Sequence, residues 1–293
     1  MIILRGLLSP FFMNKYNLRE YFNHLLTKIT AYDPKEAREI LYLVFEKIYQ
    51  IKKSDFLILE FLPQDKKKEI QDIIFRINHH EPIQYILEEA WFCNNRFFVD
   101  SNVLIPRPET EELVELIVKE QPETFLDLGT GSGCIPVSVN LKLPHSNVFA
   151  VDISEEALLV AAKNNKNLGA NVSFARANIL DFKNPFNCEK FDLIVSNPPY
   201  VKENEKLEMR ENVLKYEPHL ALFVSNENPL LFYQKISNIG LNHLNTGGKI
   251  IVEINANLGK ETKVLFEEAG YENVKIINDF FGRNRFVLAE FLG

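Results

Sequence analysis

The chain has little cysteine, and this shortage already restricts what it can be. Only three cysteines occur in 293 residues, and they are far apart: Cys93, Cys134 and Cys188. Few, well-separated thiols are typical of a reducing compartment and not of a disulfide framework. No cysteine has metal-ligand spacing to another cysteine or to a histidine, so we expect no metal site.

Signals for secretion or membrane insertion are also missing. The stretch Met1–Ser9 is apolar, but it is interrupted by Arg5 and lacks a signal-peptide cleavage pattern. No apolar run approaches the roughly 20 residues that a membrane-spanning helix needs. We therefore expect a cytoplasmic protein without a membrane partner.

Basic residues are also fewer than acidic residues. The chain has 33 Lys and Arg against 40 Asp and Glu, which gives a formal net charge of −7. A protein that binds duplex DNA needs cations to displace counterions from the phosphates. The acidic balance therefore disfavours direct DNA binding, although an acidic protein can still carry a local basic patch.

Residues 1–80 have the apolar spacing of helices. Asp33 is suited to cap a helix in which Pro34 is the first residue and Glu36 lies three residues after the cap. The apolar positions that follow recur at helical spacing: Ala37, Ile40, Leu41, Val44, Phe45 and Ile48. Another helix is expected from Asp65, with Ile70, Ile73, Ile74 and Ile77 on its buried face. This pattern predicts a small N-terminal helical bundle.

Residues 81–104 have a different pattern. Gln84–Ile86 and Arg96–Val99 consist of residue types that favour extended structure, and Asn94 and Asn95 form a polar turn between them. We expect a β-hairpin that links the bundle to the rest of the chain.

Arg107 follows this linker between Pro106 and Pro108, which hold it in an extended conformation. Helix is expected to resume at Glu109. Two interpretations of Arg107 stay open on equal terms. It either forms a structural ion pair with Glu109 or Glu111, or it orients a loop that contacts the substrate.

Residues 105–293 alternate strand and helix, which predicts a mostly parallel sheet covered on both faces. The expected strands are Thr124–Leu128, Asn147–Val151, Val172–Ala175, Asp192–Ser196 and Lys249–Ile254, with helices at Glu155–Leu168 and Lys260–Ala269 among others. The last two strands, Val274–Ile277 and Phe286–Ala289, are joined by a turn that contains Gly282. That turn is too short for a crossover helix, so this pair should be antiparallel. The expected fold class is α/β, a Rossmann-like seven-stranded sheet with an antiparallel terminal hairpin.

A glycine-rich turn follows the first of these strands. It alternates glycine with small hydroxyl residues: Gly129, Thr130, Gly131, Ser132 and Gly133. Asp152 lies nineteen residues after Gly133, at the end of the next strand, where a carboxylate can accept from both hydroxyls of a ribose. Asp127 precedes the first glycine and can face the ammonium of a methionine moiety. The pattern predicts a nucleoside-containing cofactor, and its glycines are closer together than in dinucleotide enzymes.

A second motif, Asn197-Pro198-Pro199-Tyr200, ends the fourth strand at the edge of the sheet where ligands bind. An amide or aromatic amino nitrogen is a poor nucleophile because its lone pair is delocalised. The side-chain oxygen of Asn197 and the carbonyl of Pro198 can accept from its two N–H groups, and the prolines hold these acceptors in place. Tyr200 offers a flat face for a planar acceptor. The motif predicts methyl transfer to a planar nitrogen, with Asn197, Pro198 and Tyr200 as catalytic residues.

From about Glu81 to its C-terminus the sequence resembles the HemK/PrmC family, the peptide chain release factor glutamine methyltransferases. The resemblance rests on several stretches: Pro82–Ile86, Leu104–Glu111, Leu126–Cys134, Asp152–Ser154, Asn197–Tyr200, Tyr216–Pro218 with Ala221 and Leu222, and Gly282, Arg283 and Arg285. The stretch Leu104–Glu111 is the most specific, because DNA adenine methyltransferases share Asn-Pro-Pro-Tyr but lack it.

The resemblance implies a class I methyltransferase domain at residues 105–293, with S-adenosyl-L-methionine as cofactor and S-adenosyl-L-homocysteine as product. It implies methyl transfer to the glutamine of the Gly-Gly-Gln tripeptide in class 1 release factors, and an N-terminal bundle that helps engage that partner. It also implies roles for individual residues. The residues implied to line the cofactor are Asp127, Gly129, Thr130, Gly131, Ser132, Gly133, Asp152, Asn178, Ile179 and Asn197, and those implied to form the glutamine pocket are Asn197, Pro198, Pro199 and Tyr200, with Arg107 as a further candidate.

The chain departs from the family pattern at a few positions. Asn178 stands where the family often has an acid, and glycine is usual near Glu88 and at Asn255. Leu258 replaces a frequent glutamine. These differences affect loops and not the Asn-Pro-Pro-Tyr motif. Two other activities stay open, methylation of a ribosomal-protein glutamine and methylation of a nucleic-acid adenine, together with a non-catalytic binding role.

Overall fold

The computed structural model describes residues 17–62 and 66–293. These residues form two compact units that divide between Leu87 and Glu88. The stretch Met1–Ser9 and the helix start expected at Asp65 lie outside the described residues. Within the described ranges, no helix is both long and apolar enough to cross a membrane.

The first unit consists of helices. They are α1 (Leu18–Leu26), α2 (Pro34–Tyr49), α3 (Lys67–Asn78) and α4 (Ile83–Ile86), with a 3-10 turn at Lys53–Leu57. Asp33 caps α2 as expected, because its carboxylate accepts from the backbone N–H groups of Lys35 and Glu36. The predicted isoleucine face of α3 is buried. It packs in one hydrophobic cluster with Leu18, Phe22, Leu41, Val44 and Phe45 among others.

The prediction of a strand at Gln84–Ile86 is wrong, because these residues belong to α4. The backbone N–H of Ile86 donates to the carbonyl of Pro82 at 3.1 Å, and that of Leu87 donates to the carbonyl of Ile83 at 2.9 Å. Proline is tolerated at the start of a helix, where its missing N–H is not needed. Local hydrogen bonding therefore outweighs the extended preference of the residue types.

The predicted hairpin is present but is displaced along the chain. Its strands are β1 (Ala90–Phe92) and β2 (Asn95–Phe97), paired antiparallel, and they belong to the second unit. The turn consists of Cys93 and Asn94, one residue earlier than expected, and both have positive φ angles, 47° and 61°. Two successive positive φ angles are those of a type I′ turn, which matches the twist of a two-residue hairpin.

A seven-stranded sheet forms the centre of the second unit. Its strands are β3 (Thr124–Leu128), β4 (Asn147–Asp152), β5 (Val172–Arg176), β6 (Phe191–Ser196), β9 (Leu244–Glu253), β10 (Glu272–Asn278) and β11 (Asn284–Phe291). Their order is β10-β11-β9-β6-β3-β4-β5. The strands from β9 to β5 are parallel, whereas β11 is antiparallel to both β9 and β10. The predicted sheet with its antiparallel terminal hairpin is confirmed.

Helices cover both faces of this sheet. They are α5 (Pro108–Glu120), α6 (Cys134–Lys142), α7 (Glu155–Leu168), α10 (Leu231–His243) and α11 (Gly259–Glu268). Alternate residues of a strand face opposite sides. Leu126 and Leu128 accordingly pack in a cluster with Tyr233 of α10, while Phe125 packs in the other cluster with Leu113 of α5.

A further two-stranded sheet, besides the hairpin of β1 and β2, was not predicted. It pairs β7 (Val201–Lys202) with β8 (Phe223–Val224) in parallel, directly after the Asn-Pro-Pro-Tyr motif. Between these strands lie α8 (Glu211–Tyr216) and α9 (His219–Leu222). Strands of two residues carry too little periodicity to be recognised in a sequence.

Candidate active site

One cleft collects most of the predicted site residues at the carboxyl ends of β3, β4 and β6. The predicted residues that line this cleft are Arg107, Gly129, Thr130, Gly131, Ser132, Asp152, Asn178, Ile179, Asn197 and Pro199. In an open α/β sheet, ligands bind at this edge, where the loops after neighbouring strands meet. Asp127, Gly133, Pro198 and Tyr200 are not part of the lining.

The glycine-rich turn is held by backbone hydrogen bonds and by Asp152. The N–H groups of Gly129 and Thr130 donate to the carbonyl of Val151 at 2.9 and 3.0 Å. Gly131 has a φ of 53°, and its N–H donates to Oδ2 of Asp152 at 2.8 Å. Asp152 thus ties the turn after β3 to the end of β4.

The carboxylate of Asp152 keeps acceptor capacity for a ligand. Its Oδ1 accepts from the N–H of Ser154 at 2.9 Å, in addition to the bond from Gly131 to Oδ2. Each carboxylate oxygen can accept a further hydrogen bond. Burial raises the pKa of Asp152, and the bonds from Ser154 and Gly131 oppose that rise. A ribose with two hydroxyl donors fits such a group.

Asp127 is a buried acidic residue near the carboxyl end of β3. It is fully buried on β3, and neither of its carboxylate oxygens has a hydrogen-bond partner among the described residues. Burial raises its pKa to about 7; the neighbouring hydroxyl of Thr130 opposes the rise, and the charge of Asp152 adds to it. An unpartnered buried carboxylate calls for a cationic or donor ligand. The ammonium of a methionine moiety meets that need.

Asn178 and Ile179 line the cleft after β5, and the family resemblance implies that they border the adenine. Asn178 Oδ1 accepts from the N–H of Leu180 at 2.9 Å, so its carboxamide caps the short helical turn Ile179–Asp181. This oxygen keeps one lone pair for an adenine amine. Apolar side chains provide walls for a base, among them Ile153, Ala177, Leu180 and Phe232.

The Asn-Pro-Pro-Tyr motif is anchored at both ends. Asn197 Nδ2 donates to Oγ1 of Thr110 at 3.3 Å. Pro198 is buried. The hydroxyl of Tyr200 donates to Oε1 of Glu253 at 3.0 Å. Burial raises the pKa of Tyr200 well above its usual value, with the charge of Glu253 adding to the rise, so the phenol stays neutral.

Sequence reasoning missed Thr110 and Glu253 as parts of the site. Both are buried, and Thr110 Oγ1 donates to Oε2 of Glu253 at 2.8 Å. Only the positions of the two residues could have indicated a role in the site. Thr110 lies in the family-specific stretch Leu104–Glu111, and Glu253 ends β9 at the edge of the sheet where ligands bind.

The expected partners of Arg107 are wrong. Its Nη2 donates to both carboxylate oxygens of Glu217, at 2.7 and 2.8 Å, and not to Glu109 or Glu111. Glu217 is buried, and its Oε2 also accepts from the N–H of Ile105 at 3.3 Å. The pair joins two cleft-forming segments that are 110 residues apart in the sequence.

Asn255, a departure from the usual glycine, supports the loop after Tyr200. Its Nδ2 donates to the backbone carbonyl of Tyr200 at 3.3 Å and to Oε2 of Glu205 at 3.1 Å. Its Oδ1 caps the turn Ala256–Leu258 by accepting from the N–H of Asn257. The substitution therefore adds hydrogen bonds where glycine has no side chain.

These residues fit S-adenosylmethionine as the bound group. Asp152 can hold its ribose hydroxyls, the Asn178 side its base, and buried Asp127 the charge of its amino acid portion. When bound, the cofactor supplies a methyl group that its sulfonium already activates. The chain itself has only to bind the cofactor, orient the acceptor nitrogen and exclude water.

Comparisons with known proteins agree with this geometry. Residues 106–219 match the family model described as methyltransferase small domain. A release factor glutamine methyltransferase of Bacteroides thetaiotaomicron is 45% identical over 88% of this chain and 94% of its own length. One of Flavobacterium psychrophilum is 41% identical over 94% of this chain and 98% of its own length.

Among solved structures, a methyltransferase from Pyrococcus furiosus has a TM-score of 0.51 and 23% identity, over 67% of this chain and 88% of its own. That likeness concerns the fold alone. The sequence relatives reach further, because they are similar over nearly the whole of both chains. The chain therefore belongs to the release factor glutamine methyltransferase family, as an S-adenosylmethionine-dependent methyltransferase with the class I fold.

Proposed function

We propose that this enzyme transfers the methyl group of S-adenosylmethionine to the side-chain amide nitrogen of the glutamine in the Gly-Gly-Gln tripeptide of class 1 release factors. One structural observation supports the proposal in addition to the names of the relatives. Asn197 lines the same cleft as Gly129–Ser132 and Asp152, and its Nδ2 is bonded to Thr110. Its Oδ1 is thus directed away from Thr110 and is available to a substrate N–H.

The acceptor nitrogen is a primary amide with two N–H groups and a delocalised lone pair. In the proposed complex one N–H donates to Oδ1 of Asn197 and the other to the backbone carbonyl of Pro198. Two acceptors placed in this way increase electron density on the nitrogen and fix its orientation. The ring of Tyr200 covers one face of the amide group. Its phenol stays neutral beside Glu253, because its pKa is raised well above the usual value.

The reaction needs no metal and no strong base. The amide nitrogen forms a bond to the methyl carbon, the bond between that carbon and sulfur breaks, and its electron pair stays on the sulfur of S-adenosylhomocysteine. The methylated nitrogen then carries a positive charge and is acidic, so it releases one of its protons to water. Most of the rate enhancement comes from positioning.

We further propose that residues 1–80 dock the release factor and that the enzyme works in the cytoplasm, where its proposed substrate acts on the ribosome. The exposed aromatic ring of Phe75 and the exposed side chains of Leu57 and Ile58 in the first unit are suited to contact a protein. Residues 81–104 then act as the linker, and residues 105–293 as the methyltransferase domain.

The test is transfer of labelled methyl from S-adenosylmethionine to purified release factor. A release factor with Gln→Ala in its Gly-Gly-Gln tripeptide controls for the acceptor, and Asn197→Ala controls for the enzyme. We expect label only on the wild-type factor with the wild-type enzyme. DNA, RNA and ribosomal proteins are assayed in parallel. Label on one of these, and none on the factor, would overturn the proposed substrate while keeping the chemistry.

A further inference from the structure

Four side chains around the acceptor motif form a continuous hydrogen-bonded chain. Asn197 Nδ2 donates to Oγ1 of Thr110 at 3.3 Å, and Thr110 Oγ1 donates to Oε2 of Glu253 at 2.8 Å. The hydroxyl of Tyr200 donates to the other oxygen, Oε1, at 3.0 Å. This series of hydrogen bonds starts at Asn197 and ends at Tyr200, both in the motif, and it passes through Thr110 and Glu253, which lie outside the motif.

The number of protons determines the direction of each bond. Glu253 accepts from both of its neighbours, Thr110 and Tyr200. A threonine hydroxyl has one proton, and Thr110 gives it to Glu253. Its oxygen can therefore only accept from Asn197, which must present its NH₂ group. The carboxamide oxygen then lies on the opposite edge, as the proposed reaction requires.

On balance the pKa of Glu253 is raised, although several neighbours oppose the rise. Burial raises the pKa of this carboxyl, and the charge of Glu109 adds to the rise. The hydrogen bonds from Thr110 and Tyr200 and the charge of Arg285 oppose it. Arg285 is itself held in place, because its Nη2 donates to Oδ2 of Asp279 at 3.0 Å.

We propose that Thr110 and Glu253 are positioning residues that fix the carboxamide orientation of Asn197 and the hydroxyl of Tyr200. Without the hydroxyl of Thr110, the carboxamide can rotate and present NH₂ to the NH₂ of the substrate glutamine. Two donors would then face each other, and the acceptor on which catalysis depends would be lost. This inference rests on the proposed function, since it concerns the orientation of the glutamine amide.

Thr110→Val tests it, because valine keeps the shape and removes the hydroxyl. We expect kcat on release factor to fall by at least about tenfold, which corresponds to one misoriented hydrogen bond. The dissociation constant for S-adenosylhomocysteine should change little, whereas the melting temperature should fall by a few degrees, because a buried oxygen of Glu253 loses its donor. Thr110→Ser keeps the hydroxyl and should retain kcat within about threefold of wild type.

Thr262→Val is the matched control. Thr262 is buried in the same unit, and its Oγ1 donates to the carbonyl of Leu258 at 2.8 Å. Thr262→Val also replaces a buried threonine hydroxyl by a methyl group, but this hydroxyl is not one of the four hydrogen-bonded groups at the motif, so kcat should not fall. A fall equal to that of Thr110→Val would mean that loss of any buried hydroxyl has this effect, and would overturn the inference.

A double variant separates positioning from general damage. If Thr110 acts through Asn197, then adding Thr110→Val to Asn197→Ala should lower kcat no further than Asn197→Ala alone. If the fold losses in kcat of the two single variants multiply in the double variant, the inference is refuted. It is also refuted if Thr110→Val is folded and has the kcat of the wild type. The wild-type enzyme tests the proposed function separately. If it labels no release factor, that proposal fails before any variant is compared.

Discussion

Arg107 holds the buried carboxylate of Glu217 through a single nitrogen, Nη2, which lies 2.7 and 2.8 Å from the two oxygens. Glu217 follows the end of α8, and Arg107 precedes the start of α5. The bond from the N–H of Ile105 to the same carboxylate completes the connection. Both segments contribute to the cleft, so this pair sets the distance between two of its walls.

Removing Arg107 should therefore destabilise the protein more than removing both partners. Arg107→Met leaves a buried carboxylate without its cation, and we expect a loss of about 2 to 3 kcal/mol in the free energy of unfolding. The double variant Arg107→Met with Glu217→Gln should recover part of this loss, because no charge is left buried. Urea denaturation of the four proteins measures the cycle. Additive effects of the two single changes would contradict the expected coupling.

A pH dependence follows from Asp127, whose pKa is raised by burial from 3.8 to about 7. Between these values the folded cofactor-free protein binds a proton that the unfolded chain has released. Its stability therefore falls as pH rises from about 4 to about 7, and the whole loss persists above pH 7. Asp127→Asn removes this titration. It should raise the melting temperature at pH 8 and change it little at pH 4, as measured by thermal denaturation without cofactor.

The same substitution, which should stabilise the cofactor-free protein, should weaken cofactor binding. If Asp127 faces the ammonium group, Asp127→Asn weakens binding of S-adenosylhomocysteine, which carries that group too. The wild-type affinity should rise as pH increases from 6 to 8, while that of the variant stays flat. Titration calorimetry at both pH values checks this. Equal affinities of the two proteins at pH 8 would rule out the proposed contact.

The positions of the main strands along the chain could be predicted, because each strand carries an apolar run or an alternation of at least four residues. The prediction of a strand at Gln84–Ile86 failed because three residues are too few for periodicity to outweigh a helical turn. The carboxylate partner of Arg107 could not be found, since Glu217 is 110 residues away and nearer acids were available. Long-range ion pairs depend on topology, which residue spacing alone does not give.

The candidate site shows the same limit. Motifs that act through one loop, such as Gly129–Gly133 and Asn197–Tyr200, could be recognised from local chemistry. The support of Asn197 by Thr110 and Glu253 joins α5, β6 and β9, and it becomes visible only when the sheet brings these elements together. Supporting residues are therefore the part of a site that a single sequence shows least.

Gly133 was predicted to line the cofactor, but its position indicates a packing role. Its φ is 75°, and a Cβ atom there would lie 3.0 Å from Cβ and 3.2 Å from Cα of Ala161 on α7. Gly133→Ala should therefore combine backbone strain with overpacking and cost about 2 to 4 kcal/mol of stability. Gly169→Ala is the matched control, since its φ is 72° and nothing lies within 4 Å of the added atom. It should cost only about 1 kcal/mol. Equal losses in urea denaturation would mean that contact with Ala161 does not matter.

Glu88 occupies a backbone conformation that explains why the family usually has glycine near this position. Its φ is 52°, in the left-handed region, and its side chain is exposed. A residue with a Cβ atom is strained there by roughly 1 kcal/mol, and an exposed side chain offers little packing in return. Glu88→Gly should therefore increase stability by about 0.5 kcal/mol, after the greater flexibility of glycine in the unfolded chain is subtracted. Glu89→Gly, at a neighbour without a positive φ, should lower stability in the same thermal denaturation experiment. A loss of stability in Glu88→Gly would show that the glutamate makes a favourable contact that outweighs its strain.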